Sequence, residues 1–380
     1  MQAINGSAVF RSRGRLIGCC MALVLALSAL VFASAASAAT PPPVTTYLAS
    51  GDSISFGYSQ EKFEVNFPNE SPSYFEGGFV NLYAKKLFKE NKGITIVNNA
   101  CPGETSDSFI GTGPLGKAVD PSGTSACPYH FASGLPLHNG LATLSQLEND
   151  ISVLNPCFIK ASVCAPAHEI KSVTFQIGSN DELASVAKCE AEVKSEFETT
   201  GKSKYEQPTD EKEPIEVKIA DSVKACIAES SPATFAHIIK NVETILGLMR
   251  SSSYGNYSGP IVVLGYYNPE SFVLPGSDAL QVSLNSKMAA AVAPFGAKYA
   301  NPFPKINPAP EGSLKEKKAI EKYTEWFNPK DIAVNKAKCE ANQAKEAGEG
   351  KTVIYPCNGG GDIHPSAAGQ ALLAKLVLEA

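Results

Sequence analysis

The chain has 380 residues, of which 44% are hydrophobic and 19% are charged. This composition excludes a disordered or fibrous polymer, because it supplies ample apolar material for a globular core. The formal net charge is -5, and the charged residues before position 39 are all arginines, so the rest of the chain is more acidic still. That balance argues against nucleic acid or an anionic membrane surface as a partner.

The chain begins with the pattern of a secretory signal peptide. Residues 16–32 are apolar and uncharged, and Ala36-Ser37-Ala38 has the form of an A-x-A cleavage site. The basic segment before them contains Arg11, Arg13 and Arg15. We expect residues 1–38 to be removed and the remainder to be secreted or extracytoplasmic, without a stable membrane anchor. The alternative is an uncleaved anchor, because residues 16–38 are long enough to span a bilayer.

Apolar runs and helical spacings alternate along the rest of the chain. Strands are predicted at 44–49, 94–97, 172–177, 261–264 and 298–300, of which 261–264 is a continuous apolar run. Apolar residues at helical spacing predict helices at 78–90, 141–154, 235–246, 278–292 and 366–378. The alternation indicates an α/β fold with a doubly wound parallel sheet, in which ligands bind at the carboxyl ends of the strands.

Two segments do not fit this alternation. Residues 190–230 are rich in Lys and Glu, and residues 305–361 are polar and Gly-rich. We interpret both as surface insertions on a single domain of residues 39–380, because neither has enough periodic apolar residues for a core of its own. The sequence leaves open whether they form a lid over a site.

Eight cysteines remain after the leader is removed. An even number of cysteines in an exported chain indicates disulfides, and the spacing favours bridges between sequence neighbours. The expected pairs are Cys101–Cys127, Cys157–Cys164, Cys189–Cys226 and Cys339–Cys357. No Cys-x-x-Cys motif occurs and the histidines are widely scattered, so no metal site is expected.

Polar segments stand where predicted strands end and before the last helix. They are 52–53, 98–105, 178–181 and 362–365. In a parallel sheet these segments converge on one edge. Together they supply a hydroxyl, hydrogen-bond donors, and an imidazole with a carboxylate, which are the groups that acyl transfer requires.

In this order, the four segments resemble the sequence blocks of the SGNH (GDSL-type) serine hydrolase family, especially its secreted bacterial esterases and lipases. The matching residues are Gly51-Asp52-Ser53-Ile54, Gly103, Gly178-Ser179-Asn180-Asp181 and His364-Pro365. The resemblance covers residues 44–380 apart from the two insertions. It implies a flavodoxin-like three-layer sandwich with a five-stranded parallel sheet.

The resemblance also implies a role for each residue, and the chemistry agrees. Ser53 would attack an ester carbonyl and His364 would take its proton, because a serine hydroxyl needs an adjacent base. The backbone N–H groups of Ser53 and Gly103 and the side chain of Asn180 would form the oxyanion hole. The expected substrate is a lipid or a small acyl ester, cleaved by a monomer that needs no cofactor or metal.

The acid of the predicted triad departs from the family pattern. It usually lies three residues before the histidine, whereas here Asp362 lies two before His364 and Gly361 occupies the usual place. Residues two apart in an extended segment point the same way, so we favour Asp362 as the acid. The alternative is a Ser-His dyad in which the carbonyl of Gly361 or a neighbour orients the imidazole.

Other interpretations stand beside this one. Ser53 alone could cap a helix, and Gly103 could simply occupy a position of positive φ. Two other functions compete with an esterase or lipase: a polysaccharide O-acetyl esterase that uses the same site, and a catalytically inactive secreted binding protein. Aromatic side chains that follow the serine either line an acyl pocket or only pack, namely Phe56, Tyr58, Phe63, Phe67, Tyr74 and Phe75.

Overall fold

A computed structural model describes residues 44–66, 71–90, 92–111, 137–138, 145–158, 168–206, 213–349 and 360–380. The chain divides into two units, Met1–Pro42 and Pro43–Ala380, and every described residue belongs to the second. The expected signal peptide therefore lies outside the described residues. None of the helices in the described ranges has the length and apolar character needed to cross a membrane.

Five parallel strands form the central sheet, in the order β2-β1-β3-β4-β5. The strands are β1 (Val44–Gly51), β2 (Thr95–Asn98), β3 (His168–Gln176), β4 (Ile261–Leu264) and β5 (Lys298–Ala300). This is the flavodoxin-like order of a doubly wound sheet. The predicted α/β class with five parallel strands is confirmed.

Helices follow the strands and cover both sides of the sheet. In chain order they are α1 (Ser53–Phe56), α2 (Gln60–Asn66), α3 (Phe79–Glu90), α4 (Ser106–Ile110), α5 (Gln146–Leu154), α6 (Ser179–Thr200), α7 (Ile215–Arg250), α8 (Ser277–Val292), α9 (Phe303–Ile306), α10 (Leu314–Tyr323), α11 (Pro329–Gly348) and α12 (Ala367–Glu379). Short 3-10 turns lie at Pro72–Phe75 and Ala293–Phe295.

Alternate residues of the strands pack into two separate cores. In β1, Leu48 faces a core built with α5, α7 and α8, whereas Tyr47 and Ala49 face one built with α3, α10 and α12. All four residues of β4 are buried and divide between the same two cores. Because helices cover both faces, the molecule has the three layers that the sequence predicts.

Segment 190–230, which the sequence predicts to be a surface insertion, is largely helical. It is the outer part of an antiparallel hairpin of α6 and α7, in which Ser185 and Cys189 contact Ser230 and Cys226. Helix α7 therefore begins twenty residues before the predicted start. The hairpin also has a small apolar cluster of its own: Cys189, Val193, Phe197, Ile219, Val223 and Cys226. The sequence of each helix alone is too rich in Lys and Glu to predict this cluster, which forms only when the two helices pack together.

Segment 305–361 also differs from a simple insertion. Helix α10 contributes Ile320, which is fully buried in the same core as α12, and Trp326 is buried there as well. Helix α11 is polar and lies against α2, with ion pairs from Lys330 to Glu61 and from Lys338 to Glu64. A few apolar residues in a polar segment thus complete one face of the main domain.

The structure contains the expected bridge between Cys189 and Cys226, with the two Cα atoms 5.7 Å apart. Cys101, Cys157 and Cys339 are disulfide-bonded as well. Their expected partners lie outside the described residues: Cys127, Cys164 and Cys357.

Candidate active site

A tight turn follows strand β1 and places Ser53 at the carboxyl edge of the sheet. Gly51 has a φ of +126°, and a Cβ placed there would lie 2.1 Å from the carbonyl oxygen of Gln176, so only glycine fits. Asp52 then caps α1 by accepting from the N–H of Ile54 at 2.9 Å. Ser53 is therefore the first residue of the helix and not its cap, and its N–H has no acceptor within the helix.

The carboxylate of Asp52 is buried beneath this turn. In the amide orientation that satisfies both neighbours, Gln176 donates to the two oxygens of Asp52 at 2.5 and 2.8 Å and accepts from Ser179 Oγ at 2.6 Å. Burial raises the pKa of Asp52 to about 7, against the hydrogen bond from Ile54 and the attraction of His364. Asp52 thus supports the turn and adds to the electrostatic field at the imidazole.

His364 and Asp362 form a buried pair at the same edge. Oδ1 of Asp362 lies in hydrogen-bond contact with Nδ1 of His364 and also accepts from the His364 N–H at 3.1 Å. Its Oδ2 accepts from the N–H of Gln60 at 2.8 Å. Because both oxygens are held, the carboxylate has a fixed orientation toward the imidazole.

The charges of this pair reinforce each other. Burial disfavours the imidazolium, but the attraction and hydrogen bond of Asp362, aided by Asp52 and Asp331, outweigh it and raise the pKa of His364. Burial likewise disfavours ionised Asp362, yet the facing imidazole and its hydrogen bonds lower the pKa of that carboxyl. The alternative acceptor is engaged elsewhere, because the Gly361 carbonyl accepts from Asn335 at 3.1 Å. The geometry therefore favours Asp362 as the group that orients the ring.

The segment that carries Ser53 packs directly on this pair. The Ser53 carbonyl accepts from the N–H of Tyr58 at 2.9 Å, and the Tyr58 ring lies 4.8 Å from the imidazole, centroid to centroid. Ile54 and Ile363, the neighbours of Ser53 and His364, belong to one apolar cluster. Nε2 of His364 is buried and has no hydrogen-bond partner among the described residues. The imidazole thus keeps its second nitrogen unpaired, and its ring packs on Tyr58, five residues after Ser53.

Gly103 and Asn180 reach the same edge from β2 and β3. The N–H of Cys101 donates to the Gly51 carbonyl at 2.9 Å, which joins the second segment to the first. Asn180 Nδ2 donates to the carbonyl of Glu104 at 2.9 Å, beside Gly103, whose φ is +78°. An amide nitrogen carries two hydrogens, so one remains for a further acceptor.

Sequence reasoning missed a buried polar layer beneath these segments. Gln146 binds both the N–H and the carbonyl of Gly51 at 2.8 Å and donates to Glu104 at 2.6 Å. One turn later on α5, Asp150 accepts from Ser50 at 2.7 and 2.8 Å. The available signal was two polar residues four apart beside the apolar stripe of a helix, a placement that is costly unless both are hydrogen-bonded.

Sequence reasoning also missed a second acid, Asp331, which interacts electrostatically with both Asp362 and His364. Asp331 is only 2% exposed, and its Oδ2 has no hydrogen-bond partner among the described residues. Burial raises its pKa to about 6, and the charge of Asp362 adds to the shift. In the part of the chain that the structure describes, no group of three or more acidic, His or Cys side chains is placed to hold a metal.

Comparison with known proteins gives structural matches only. No family model matches the chain, and no curated protein does. The solved structures it resembles include lipolytic proteins and esterases. An extracellular lipase from Streptomyces rimosus is 14% identical, with a TM-score of 0.41 over 88% of this chain and 98% of that one. A lipolytic protein of the G-D-S-L family from Veillonella parvula is 12% identical, with a TM-score of 0.34 over 88% and 97%. An acetylxylan esterase from Geobacillus stearothermophilus is 11% identical, with a TM-score of 0.33 over 90% and 95%.

Proposed function

We propose that this chain is a serine hydrolase of the SGNH type that cleaves carboxylic esters. The observation that carries the proposal is the buried Asp362–His364 pair, held against the segment that begins with Ser53 while Nε2 remains unpaired. A structural histidine buried to this extent would normally satisfy both ring nitrogens. A buried imidazole with one nitrogen left to accept a proton, packed on the segment that follows a serine at a helix start, supports a role in nucleophilic catalysis.

In the proposed reaction, Ser53 Oγ attacks the ester carbonyl carbon while Nε2 of His364 takes the hydroxyl proton. The C–O bond to the alcohol then breaks, and the imidazolium returns the proton to the leaving alkoxide. Water attacks the acyl-enzyme with His364 again acting as base, which releases the carboxylic acid and restores Ser53. Asp362 stabilises the imidazolium throughout without taking its proton.

The tetrahedral intermediate carries a negative oxygen, for which we propose three donors. They are the backbone N–H groups of Ser53 and Gly103 and the second hydrogen of Asn180 Nδ2. Two features support the assignment: Ser53 N–H is at the first position of a helix, and the Asn180 amide is already oriented by Glu104. Loss of one such donor typically costs about 10²- to 10³-fold in kcat.

We also propose that the protein acts outside the cytoplasm as a monomer. The disulfide between Cys189 and Cys226 supports this compartment, because such bridges persist in oxidising surroundings. The leader pattern of residues 1–38 supports export.

The test is labelling of the folded protein by a fluorophosphonate, combined with hydrolysis of p-nitrophenyl acetate. Wild type should be labelled at Ser53 and should turn over the ester, whereas Ser53→Ala should do neither. Ser55→Ala is the matched control, because Ser55 lies in the same short helix and is 1% exposed. Absence of labelling in folded wild-type protein would overturn the proposal in favour of a secreted binding protein.

A further inference from the structure

A cavity of about 120 Å³ lies beside the proposed reacting groups. It is bounded by α6, by α7 and by the segment 266–281 that follows β4. Three of its lining residues, Ile54, Ser179 and Ile363, are the immediate sequence neighbours of Ser53, Asn180 and His364. One end of the cavity is therefore lined by residues that are directly adjacent in sequence to the proposed nucleophile, base and oxyanion donor.

The walls of this cavity are largely apolar. Helix α6 contributes Leu183 and Val186, α7 contributes Ile227, and the segment after β4 contributes Leu274 and Leu280. All five side chains are only partly buried, although they lie between packed elements, because they face the cavity. Half-buried aliphatic side chains around a concave space favour an apolar ligand, since filling the space removes their surface from water.

Two acidic side chains, Glu182 and Glu270, also line the cavity, and they are compatible with an apolar ligand. Burial raises the pKa of Glu182 to about 8, although Gln281 donates a hydrogen bond to it, and burial raises the pKa of Glu270 to about 7. Both carboxyls are therefore largely neutral in mildly acidic solution, where they place no charge against a hydrocarbon chain.

Three of the aromatic residues that follow Ser53 are packed against their neighbours: Phe56, Tyr58 and Phe75. Phe56 and Phe75 are buried to 1% and 0% exposure and pack on each other with ring centroids 5.1 Å apart. Tyr58 packs on Phe75 and on His364. These three side chains serve packing, whereas Phe67 lies outside the described residues.

We infer that the cavity between the α6–α7 hairpin and segment 266–281 holds the acyl chain of the ester, and that Ile227 on α7 limits its length. The inference rests on the proposed function. Phe235 belongs to the core beside the sheet, whereas Ile227 packs against the separate cluster of the hairpin. Eight residues of helix separate them, or about 12 Å. Ile227 therefore lies at the end of the cavity away from the sheet.

The disulfide gives this wall its position. Cys226, which precedes Ile227, is bonded to Cys189 on α6, so the covalent link fixes the two helices at the depth of the cavity. Segment 190–230, which the sequence indicated as an insertion, thus forms a fixed outer wall of the acyl site rather than a lid.

The test compares kcat/KM for p-nitrophenyl acetate, butyrate, octanoate and palmitate between wild type and Ile227→Trp. The tryptophan should fill the far end of the cavity and lower the ratio of kcat/KM for octanoate to kcat/KM for acetate by about tenfold or more. The kcat/KM for acetate should stay within about twofold of wild type, because only the longer chain reaches the substituted position. Ile227→Ala should raise the ratio for octanoate or palmitate. Val217→Trp is the matched control, since Val217 is 40% exposed on the same helix, outside the cavity.

Val186→Phe, which narrows the cavity from α6, provides a second variant if Ile227→Trp does not fold. An unchanged ratio in a folded variant, a parallel fall for acetate and octanoate, or a wild type restricted to acetyl esters would each overturn the inference. Fluorophosphonate labelling distinguishes failure of the acyl-site inference from failure of the proposed function. A labelled enzyme with an unchanged ratio contradicts the acyl site alone, whereas an unlabelled wild type contradicts the proposed function.

Discussion

The backbone N–H of Gln60 donates to Oδ2 of Asp362 at 2.8 Å, although 302 residues separate the two in sequence. The same carboxylate contacts Nδ1 of His364 through its other oxygen. The turn that follows Ser53 therefore orients the acid, and the acid orients the imidazole. One continuous set of contacts therefore joins the proposed nucleophile to the proposed base.

Asp362→Asn should lower kcat by about 10³- to 10⁴-fold in ester hydrolysis, because the amide would favour the wrong tautomer of His364 and would not stabilise the imidazolium. Steady-state kinetics on p-nitrophenyl acetate measure this, with circular dichroism to verify the fold. Near-normal turnover of Asp362→Asn alongside a dead Ser53→Ala would instead support a dyad oriented by a backbone carbonyl.

The pH dependence should report the charges around His364. Its pKa is raised, and the base acts as neutral imidazole, so kcat/KM should fall as the pH decreases through a value above that of an ordinary histidine. Asp331→Asn removes one of the charges that raise this pKa, so the acid limb should move to lower pH. Glu321→Gln, the same charge change at an exposed position on α10, should leave the limb in place. An unmoved limb in Asp331→Asn would contradict the electrostatic role of that residue.

Stability should decrease between mildly acidic and neutral pH because of Asp150. Burial raises the pKa of Asp150 to about 7, against its hydrogen bonds from Ser50 and Asn99. Above the ordinary Asp pKa of about 4, only the folded state keeps the proton, so stability present at low pH is lost as the pH rises toward 7. Each pKa unit corresponds to about 1.4 kcal/mol, so the total is a few kcal/mol.

Thermal unfolding of Asp150→Asn between pH 4 and pH 8 tests this. The variant should show a flatter dependence of Tm on pH than wild type, and the buried Asp52 should account for part of what remains. Asp221→Asn, at a partly exposed position on α7, should reproduce the wild-type curve. Parallel curves for Asp150→Asn and wild type would show that Asp150 is ionised in the folded protein.

Gly51→Ala should destabilise the protein by several kcal/mol, because the new Cβ would lie 2.1 Å from a backbone oxygen of β3 and the residue has a positive φ. Gly276→Ala separates the two causes, since Gly276 has a φ of +95° but no atom within 4 Å of the added carbon. That control should lose only about 1 kcal/mol, from backbone strain. Equal losses in chemical denaturation would show that the close approach of β1 to β3 is not the reason for the glycine.

Sequence patterns located most of the sheet but only part of the helical structure. Ile261–Leu264 matches a predicted strand, because a buried parallel strand is a short, uninterrupted apolar run, and the short strand predicted at Lys298–Ala300 is also present. Helix α7 was predicted from Phe235 onward but begins at Ile215, and α6 was not predicted at all. The apolar residues of those two helices form a core only where the helices face each other. The periodicity of one segment does not reveal which other segment packs against it.

The sequence by itself determined the α/β class, the five parallel strands, and the four polar segments expected at one edge of the sheet. These follow from local hydrophobic periodicity and from the rule that parallel strands end on the same side. Only the tertiary structure decided that Asp362 rather than the Gly361 carbonyl faces the imidazole, that Gln146 and Asp150 support the turn at Gly51, and that the disulfide-linked hairpin walls a cavity. The contacts of Gln146 and Asp150 join residues 95 and 100 positions apart. The others depend on the direction of a single side chain or on the packing of two helices, and no spacing along the chain records these.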